Sequence, residues 1–208
     1  MKLQLAFDFL ELAESEETIR EVHDLIDIVE IGTPLIIREG IRAVSRIRSQ
    51  FPSLEILADL KIMDGGQYES KLAFEAGADI VTVLALADNV TIEAAVKEAQ
   101  SRGKIVVADM IGVEQTEKRA LEIEELGVSY LCLHTAIDVQ FKGEDALEQL
   151  KRARQVLKRA GTAVAGGISL QTIAEVVAAG PDIVVVGSGI TKQRNKRAAV
   201  LEIKSIMS

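Results

Sequence analysis

Tryptophan is absent from this 208-residue sequence, and two tyrosines and five phenylalanines are all its aromatic surface. With so few rings and a formal charge of −8, the chain has neither a base-stacking platform nor a basic stripe, so nucleic acid is not an expected partner. Its single cysteine, Cys132, cannot form an internal disulfide and fits a reducing, cytoplasmic setting. No apolar run approaches the ~20 residues that cross a bilayer, so no membrane partner is expected. The opening Met1–Asp8 segment meets charge too early to read as a signal peptide. What remains is 48% apolar and 27% charged, the balance of a folded globular protein, and the length suits one domain over 1–208.

Short β-branched runs alternate with amphipathic stretches throughout. The expected strands are Leu3–Phe7, Asp27–Ile31, Glu55–Ala58, Ile80–Leu84, Ile105–Ala108, Tyr130–Leu133, Ala163–Ala165 and Ile183–Val186. Helical periodicity lies between them, as in Thr91–Arg102 and Glu117–Leu126. Gly77, Gly103, Gly127, Gly161 and Gly180 stand where those helices should end, because glycine adopts the left-handed cap conformation cheaply. Eight strand–helix units of about 25 residues each predict an α/β fold, a (β/α)8 TIM barrel. The rival is an open doubly wound sheet, which places one glycine-rich loop after its first strand. Here the first loop, Asp8-Phe9-Leu10-Glu11, has no glycine, and the glycine-rich loops come seventh and eighth.

Chemistry gathers at the strand ends. Asp59-Leu60-Lys61-Ile62-Met63-Asp64 sets two carboxylates around a lysine after an apolar run, and buried charges are costly unless they pair, bind metal or react. Asp59 and Lys61 should share a face if the strand continues, with Asp64 in the following turn. Asp8, Glu30, Asp109 and His134 end other strands, so a barrel would bring them to one rim. Alternation turns Gln4, Ala6 and Asp8 inward with Cys132 and His134, and Leu3, Leu5, Phe7, Leu131 and Leu133 outward. Gly166-Gly167 and Gly187-Ser188 follow the seventh and eighth strands, where backbone N–H groups can approach a phosphate. A small phosphorylated substrate is implied. Cys132 reads as a small core residue and His23 receives no role. Asp27 and Asp79 should cap or solvate the opposite rim, and Lys192–Arg197 reads as a solvated helix start.

On the D-x-K-x-x-D motif the chain resembles the orotidine 5′-monophosphate decarboxylase suprafamily. Through Gln4–Asp8, Asp27–Pro34, Ala108–Ile111, His134–Gln140 and Ala163–Ile168 it resembles the 3-hexulose-6-phosphate synthase family more closely. The resemblance runs nearly end to end. It implies a reversible aldol condensation of formaldehyde with D-ribulose 5-phosphate through a cis-enediolate. It also implies Mg2+ held by Glu30 and Asp59, polarising the C2 carbonyl, and His134 as the base. Asp8 and Asp109 would hold substrate hydroxyls or shift protons, and Lys61 would balance the charge of the intermediate. A homodimer with shared active sites is implied as well, with Asp64 entering the neighbouring subunit's site.

The nearest competing family is 3-keto-L-gulonate-6-phosphate decarboxylase, which typically carries Glu where this chain has Asp109. It reads H-R-x-R-D-x-Q after the histidine, where this chain has Thr135 and Ile137 in place of the arginines. It also tends to have Thr at Ala165 and Arg at Ser188. Ile137 departs from the synthases too, many of which have an aromatic residue there. Orotidine 5′-monophosphate decarboxylase needs no metal, and ribulose-phosphate 3-epimerase uses two strand-end histidines, so both fit less well. A non-catalytic sugar-phosphate-binding barrel would be expected to have lost an acid, base or metal position.

Overall fold

The computed structural model describes residues 1–8, 11–138 and 146–208. Phe9 and Leu10 of the first loop, and Val139 and Gln140 after the histidine, lie outside the described residues. The strands are β1 (Lys2–Phe7), β2 (Ile28–Ile31), β3 (Glu55–Ile62), β4 (Ile80–Leu84), β5 (Ile105–Asp109), β6 (Tyr130–His134), β7 (Gly161–Ala165) and β8 (Ile183–Val186). Each pairs in parallel with the next, and β1 also pairs with β8, so the sheet closes into the expected barrel. Gln4 stands opposite Ile28 on one side and Val185 on the other.

Helices coat the outside: α1 (Leu12–Val22), α2 (Thr33–Glu39), α3 (Arg42–Gln50), α4 (Gly66–Glu75) and α5 (Asn89–Ser101) in the first half. α6 (Thr116–Glu125), α7 (Ala146–Val156), α8 (Ile173–Ala179), α9 (Ser188–Thr191) and α10 (Lys196–Met207) complete the described set. One helix per strand was the expectation; β2 and β8 are each followed by two. Gly40, at φ 70°, separates α2 from α3. α10 begins at Lys196, where the Asn195 side chain accepts from the Ala198 N–H. In the same charged stretch Arg197 pairs with Asp24 rather than only meeting solvent. Among the described residues no helix is long and apolar enough to cross a membrane.

Strand alternation divides the core into two parts. Leu3, Leu5, Phe7, Leu131 and Leu133 pack outward against the helices, while Ala6, Leu57, Val107 and Cys132 fill the barrel interior. Each large aliphatic side chain buried in this way contributes roughly 1.5–3 kcal/mol.

Four of the five expected capping glycines, Gly77, Gly103, Gly127 and Gly180, have positive φ. Gly161 does not; it opens β7, and its reason is steric, since a Cβ there would lie 2.5 Å from the Tyr130 ring. β3 also runs past the expected end at Ala58. Its register against β4 shifts between Ala58 and Ile62, and Lys61 takes a left-handed φ of 49°. That irregularity is a β-bulge, and it lies beside the carboxylate cluster.

At the opposite rim the carboxylates of Asp27, Asp79 and Asp182 precede β2, β4 and β8. They accept from the backbone N–H of Leu3 (2.8 Å), Ile56 (3.0 Å) and Thr162 (2.7 Å). Each ties a strand start to its neighbour, the capping role expected of Asp27 and Asp79.

Candidate active site

A cavity of about 350 Å3 opens at the C-terminal ends of the strands. Its walls include Asp8, Glu30, Asp59, Lys61, Asp109 and His134, with Gly166, Gly167, Gly187 and Ser188 along one side. The strand-end residues therefore converge as the barrel reading required. Asp64 does not join them. It is exposed, and its Oδ1 accepts from the Gly65 N–H at 2.7 Å within its own turn.

Lys61 is the hub. Its Nζ lies 2.9 Å from Asp59 Oδ2 and 2.8 Å from Asp109 Oδ2, joining β3 to β5 across the cavity. Burial alone would pull the ammonium's pKa down. The charges of Asp59 and Asp109 outweigh that and hold it above the usual lysine range, so Lys61 is a fixed cation.

Asp109 Oδ2 also contacts His134 Nδ1 at 3.0 Å, and Asp109 Oδ1 accepts from the Ile111 N–H at 3.0 Å. Burial opposes ionisation of Asp109, but the His134 hydrogen bond and the charges of His134 and Lys61 prevail and bring its pKa down to about 2. An ionised carboxylate can only accept, so Nδ1 carries the proton in the His134–Asp109 contact. In neutral His134 the basic lone pair is then on Nε2, available to a substrate in the cavity.

The other corner of the cavity is electrostatically unbalanced. Glu30 is buried, and its Oε2 accepts from Gln4 Nε2 at 2.5 Å. Burial, then the charges of Asp59 and Asp8, push its carboxyl well above the ordinary carboxylate range. Asp8 is pushed up for the same reasons, burial first and Asp59 second. It sits where a Cβ on Gly32 would overlap its carboxylate, so glycine at 32 keeps this corner open. Excess negative charge at Asp8, Glu30 and Asp59 suits a cation. Among the described residues no group of three or more His, Cys, Asp or Glu is arranged to hold a metal. A pair of carboxylates is, however, a donor set that fits Mg2+, which keeps waters or substrate oxygens as its remaining ligands.

The glycine loops provide backbone rather than charge. Gly166 and Gly167 have φ of 101° and 68°, and a Cβ on Gly166 would strike the Thr135 carbonyl. This positive-φ pair brings main chain to the cavity wall.

Three contributors escaped the sequence reading. Gln4, placed on the inward face without a role, holds Glu30. Thr33 Oγ1 lies 2.8 Å from Asp59 Oδ2, and Thr82 Oγ1 lies 2.7 Å from Asp59 Oδ1. Thr82 is the one polar residue in the apolar run Ile80-Val81-Thr82-Val83-Leu84, a signal easily taken for β-branched packing.

Known proteins share this framework. The chain is 48% identical over 207 residues to 3-hexulose-6-phosphate synthase of Bacillus subtilis (strain 168), covering 100% of this chain and 99% of that protein. The crystal structure of 3-hexulose-6-phosphate synthase from Salmonella typhimurium superposes with a TM-score of 0.96 at 44% identity, covering 100% and 98% of the two chains. For 3-keto-L-gulonate-6-phosphate decarboxylase from Vibrio cholerae O1 biovar El Tor the TM-score is 0.87 at 26% identity, with 99% and 96% covered. The family match spans residues 1–203 and takes in every strand and the whole charged rim: this chain belongs to the orotidine 5'-phosphate decarboxylase / HUMPS family.

Proposed function

We propose that the chain is a Mg2+-dependent aldehyde-lyase that condenses formaldehyde with D-ribulose 5-phosphate to give 3-hexulose 6-phosphate, reversibly, in the cytoplasm. The observation that carries this reading is the Asp109-oriented His134 beside Lys61, facing a corner with surplus carboxylate. The 3-hexulose-6-phosphate synthases similar to it along their full length support the product.

The phosphate would rest on the backbone of Gly166, Gly167 and Gly187 and on Ser188, as frequently happens after the last two strands of this fold. That directs the carbonyl end of the sugar toward Glu30, Asp59 and Lys61. Mg2+ held by Glu30 and Asp59 would supply positive charge to the C2 oxygen as C1 loses its proton. His134 Nε2 takes that proton, leaving an enediolate whose charge is also offset by the Lys61 ammonium. C1 then attacks the formaldehyde carbon to form the new C–C bond. The former formaldehyde oxygen takes the proton from imidazolium, which restores neutral His134. Asp109 holds the ring throughout, and Asp8 is placed to bind a substrate hydroxyl.

The decarboxylase reading fares less well. Its two arginine positions are Thr135 and Ile137 here, and its longer acid is replaced by Asp109, which is already engaged by Lys61, His134 and Ile111.

A homodimer completes the proposal. Met63, next to Asp64 beyond β3, Tyr68 and Leu72 on α4, Leu86 after β4 and Val90 on α5 are large apolar side chains left exposed. Burying them against a second copy would carry Asp64 toward the neighbouring cavity.

The test is formaldehyde consumption by purified protein with ribulose 5-phosphate, with and without Mg2+. Turnover that needs both sugar and metal is expected. Full activity after exhaustive chelation would sink the metal assignment, and no turnover under any metal would sink the reaction.

A further inference from the structure

We propose that Thr82 is a positioning residue for this reaction: its hydroxyl latches the β3 bulge and so fixes Asp59 and Lys61 relative to each other. The inference rests on the function proposed above.

The register shows why a latch is needed. Ala58 pairs with Val81 and Ile62 with Val83, so Asp59, Leu60 and Lys61 together face only Thr82. An arched segment of this kind takes backbone groups out of the regular ladder. Among the described residues Lys61 is the one non-glycine with positive φ, a conformation that costs energy unless its surroundings enforce it. The Lys61 N–H, displaced from the ladder, donates to Thr82 Oγ1 at 2.9 Å. The same oxygen carries a single proton and donates it to Asp59 Oδ1 at 2.7 Å. One hydroxyl, on a residue only 6% exposed, therefore holds the backbone of the lysine and the side chain of the aspartate at once. Thr33 fixes the other carboxylate oxygen of Asp59, from α2.

The consequence is geometric. Lys61 Nζ must reach both Asp59 and Asp109, and Asp109 in turn orients His134. Without the Thr82 hydroxyl the part-buried lysine N–H loses its acceptor, and Asp59 loses the closest of its side-chain donors, keeping Thr33 and Lys61. The bulge is then free to relax and the hub to drift, without any loss of the groups that grip the sugar phosphate. Loss should fall on kcat rather than on KM, since the Lys61 and Asp59 contacts matter most as charge develops.

Thr82→Ser and Thr82→Ala form the decisive pair, because both delete the γ-methyl and only serine keeps the hydroxyl. Thr82→Val, nearly isosteric, is the companion where it folds. Thr82→Ser is expected within about threefold of the parent kcat, and Thr82→Ala at least tenfold lower, with KM for ribulose 5-phosphate within about threefold. Binding of Mn2+ alone, read from the free-ion spin-resonance signal without substrate, should be at least fivefold weaker in Thr82→Ala than in Thr82→Ser. The latch is refuted by Thr82→Ala holding kcat within twofold of the serine variant, or by equal Mn2+ binding in the two. Were the parent protein itself inactive, the reaction would be the failed assumption, and the Mn2+ comparison would still decide on Thr82.

Discussion

Five carboxylates line the cavity with one lysine and one histidine, and the partners of Asp8, Glu30, Asp59 and Asp109 divide these four into two electrostatic halves. Asp59 and Asp109 share the Lys61 ammonium, which offsets part of their charge. Burial first, and the charge of Asp59 second, raise the pKa values of Glu30 and Asp8, and Lys61 offsets only part of that rise. The sign of the linkage follows. A carboxyl whose folded pKa exceeds its unfolded value contributes stability that is full below about the ordinary 4.5 and is lost as pH rises through the folded value. Metal-free protein at pH 8 should therefore melt no higher than its Glu30→Gln variant. Mg2+ should raise the melting temperature of the parent and leave that of Glu30→Gln unmoved. Thermal scans in chelator and in millimolar Mg2+ check both, and an equal Mg2+ shift in the two proteins would remove Glu30 from the metal site. At this scale the sequence was legible where a charge ends a strand, as at Asp8, Glu30, Asp59, Asp109 and His134. It was opaque at Gln4, Thr33 and Thr82, whose hydrogen bonds depend on partners more than twenty positions away.

Among the elements, β3 and the start-of-strand aspartates bear most on how the rim is built. Asp79 ties β3 to β4: it accepts from the Ile56 N–H and from Lys104 at 2.7 Å, and it pairs with Arg48. Burial opposes its ionisation, but the Lys104 and Ile56 hydrogen bonds and the Arg48 charge lower its pKa. Its stabilisation is thus present above the ordinary value of 3.8 and fades as pH falls below it. Replacing Asp79 by Ala should cost about 1–3 kcal/mol in urea unfolding, because a partly buried N–H loses a charged acceptor. Turnover of the folded variant should stay near that of the parent, since Asp79 lies at the rim away from the chemistry. A large loss of kcat with unchanged stability would contradict that division of labour between the two rims. Periodicity and capping glycines were enough to place all eight strands. They could not show the bulge, because Asp-Leu-Lys-Ile looks like the end of an apolar run. They also misread Gly161, which is required by the Tyr130 ring and not by a helix end.

For the whole molecule, closure of β1 on β8 gathers residues from position 4 to position 188 around one cavity. Closure is a pairing between the two ends of the chain, and only the count of units in the sequence foreshadowed it. Assembly is the next level. Tyr68 and Leu72, four residues apart on α4, are 77% and 58% exposed and belong to the surface proposed to meet a second copy. Sedimentation should show a dimer, and Leu72→Glu should shift it toward monomer with loss of turnover. A fully active monomer would contradict the loan of Asp64 to the neighbouring site. The central claim is the reaction itself, and it is tested most directly by measuring kcat/KM for two substrates on one preparation with Mg2+. One assay follows formaldehyde consumption with ribulose 5-phosphate; the other follows CO2 release from 3-keto-L-gulonate 6-phosphate. The expected result is a kcat/KM for condensation at least tenfold the higher, and an equal or greater value for decarboxylation would contradict it.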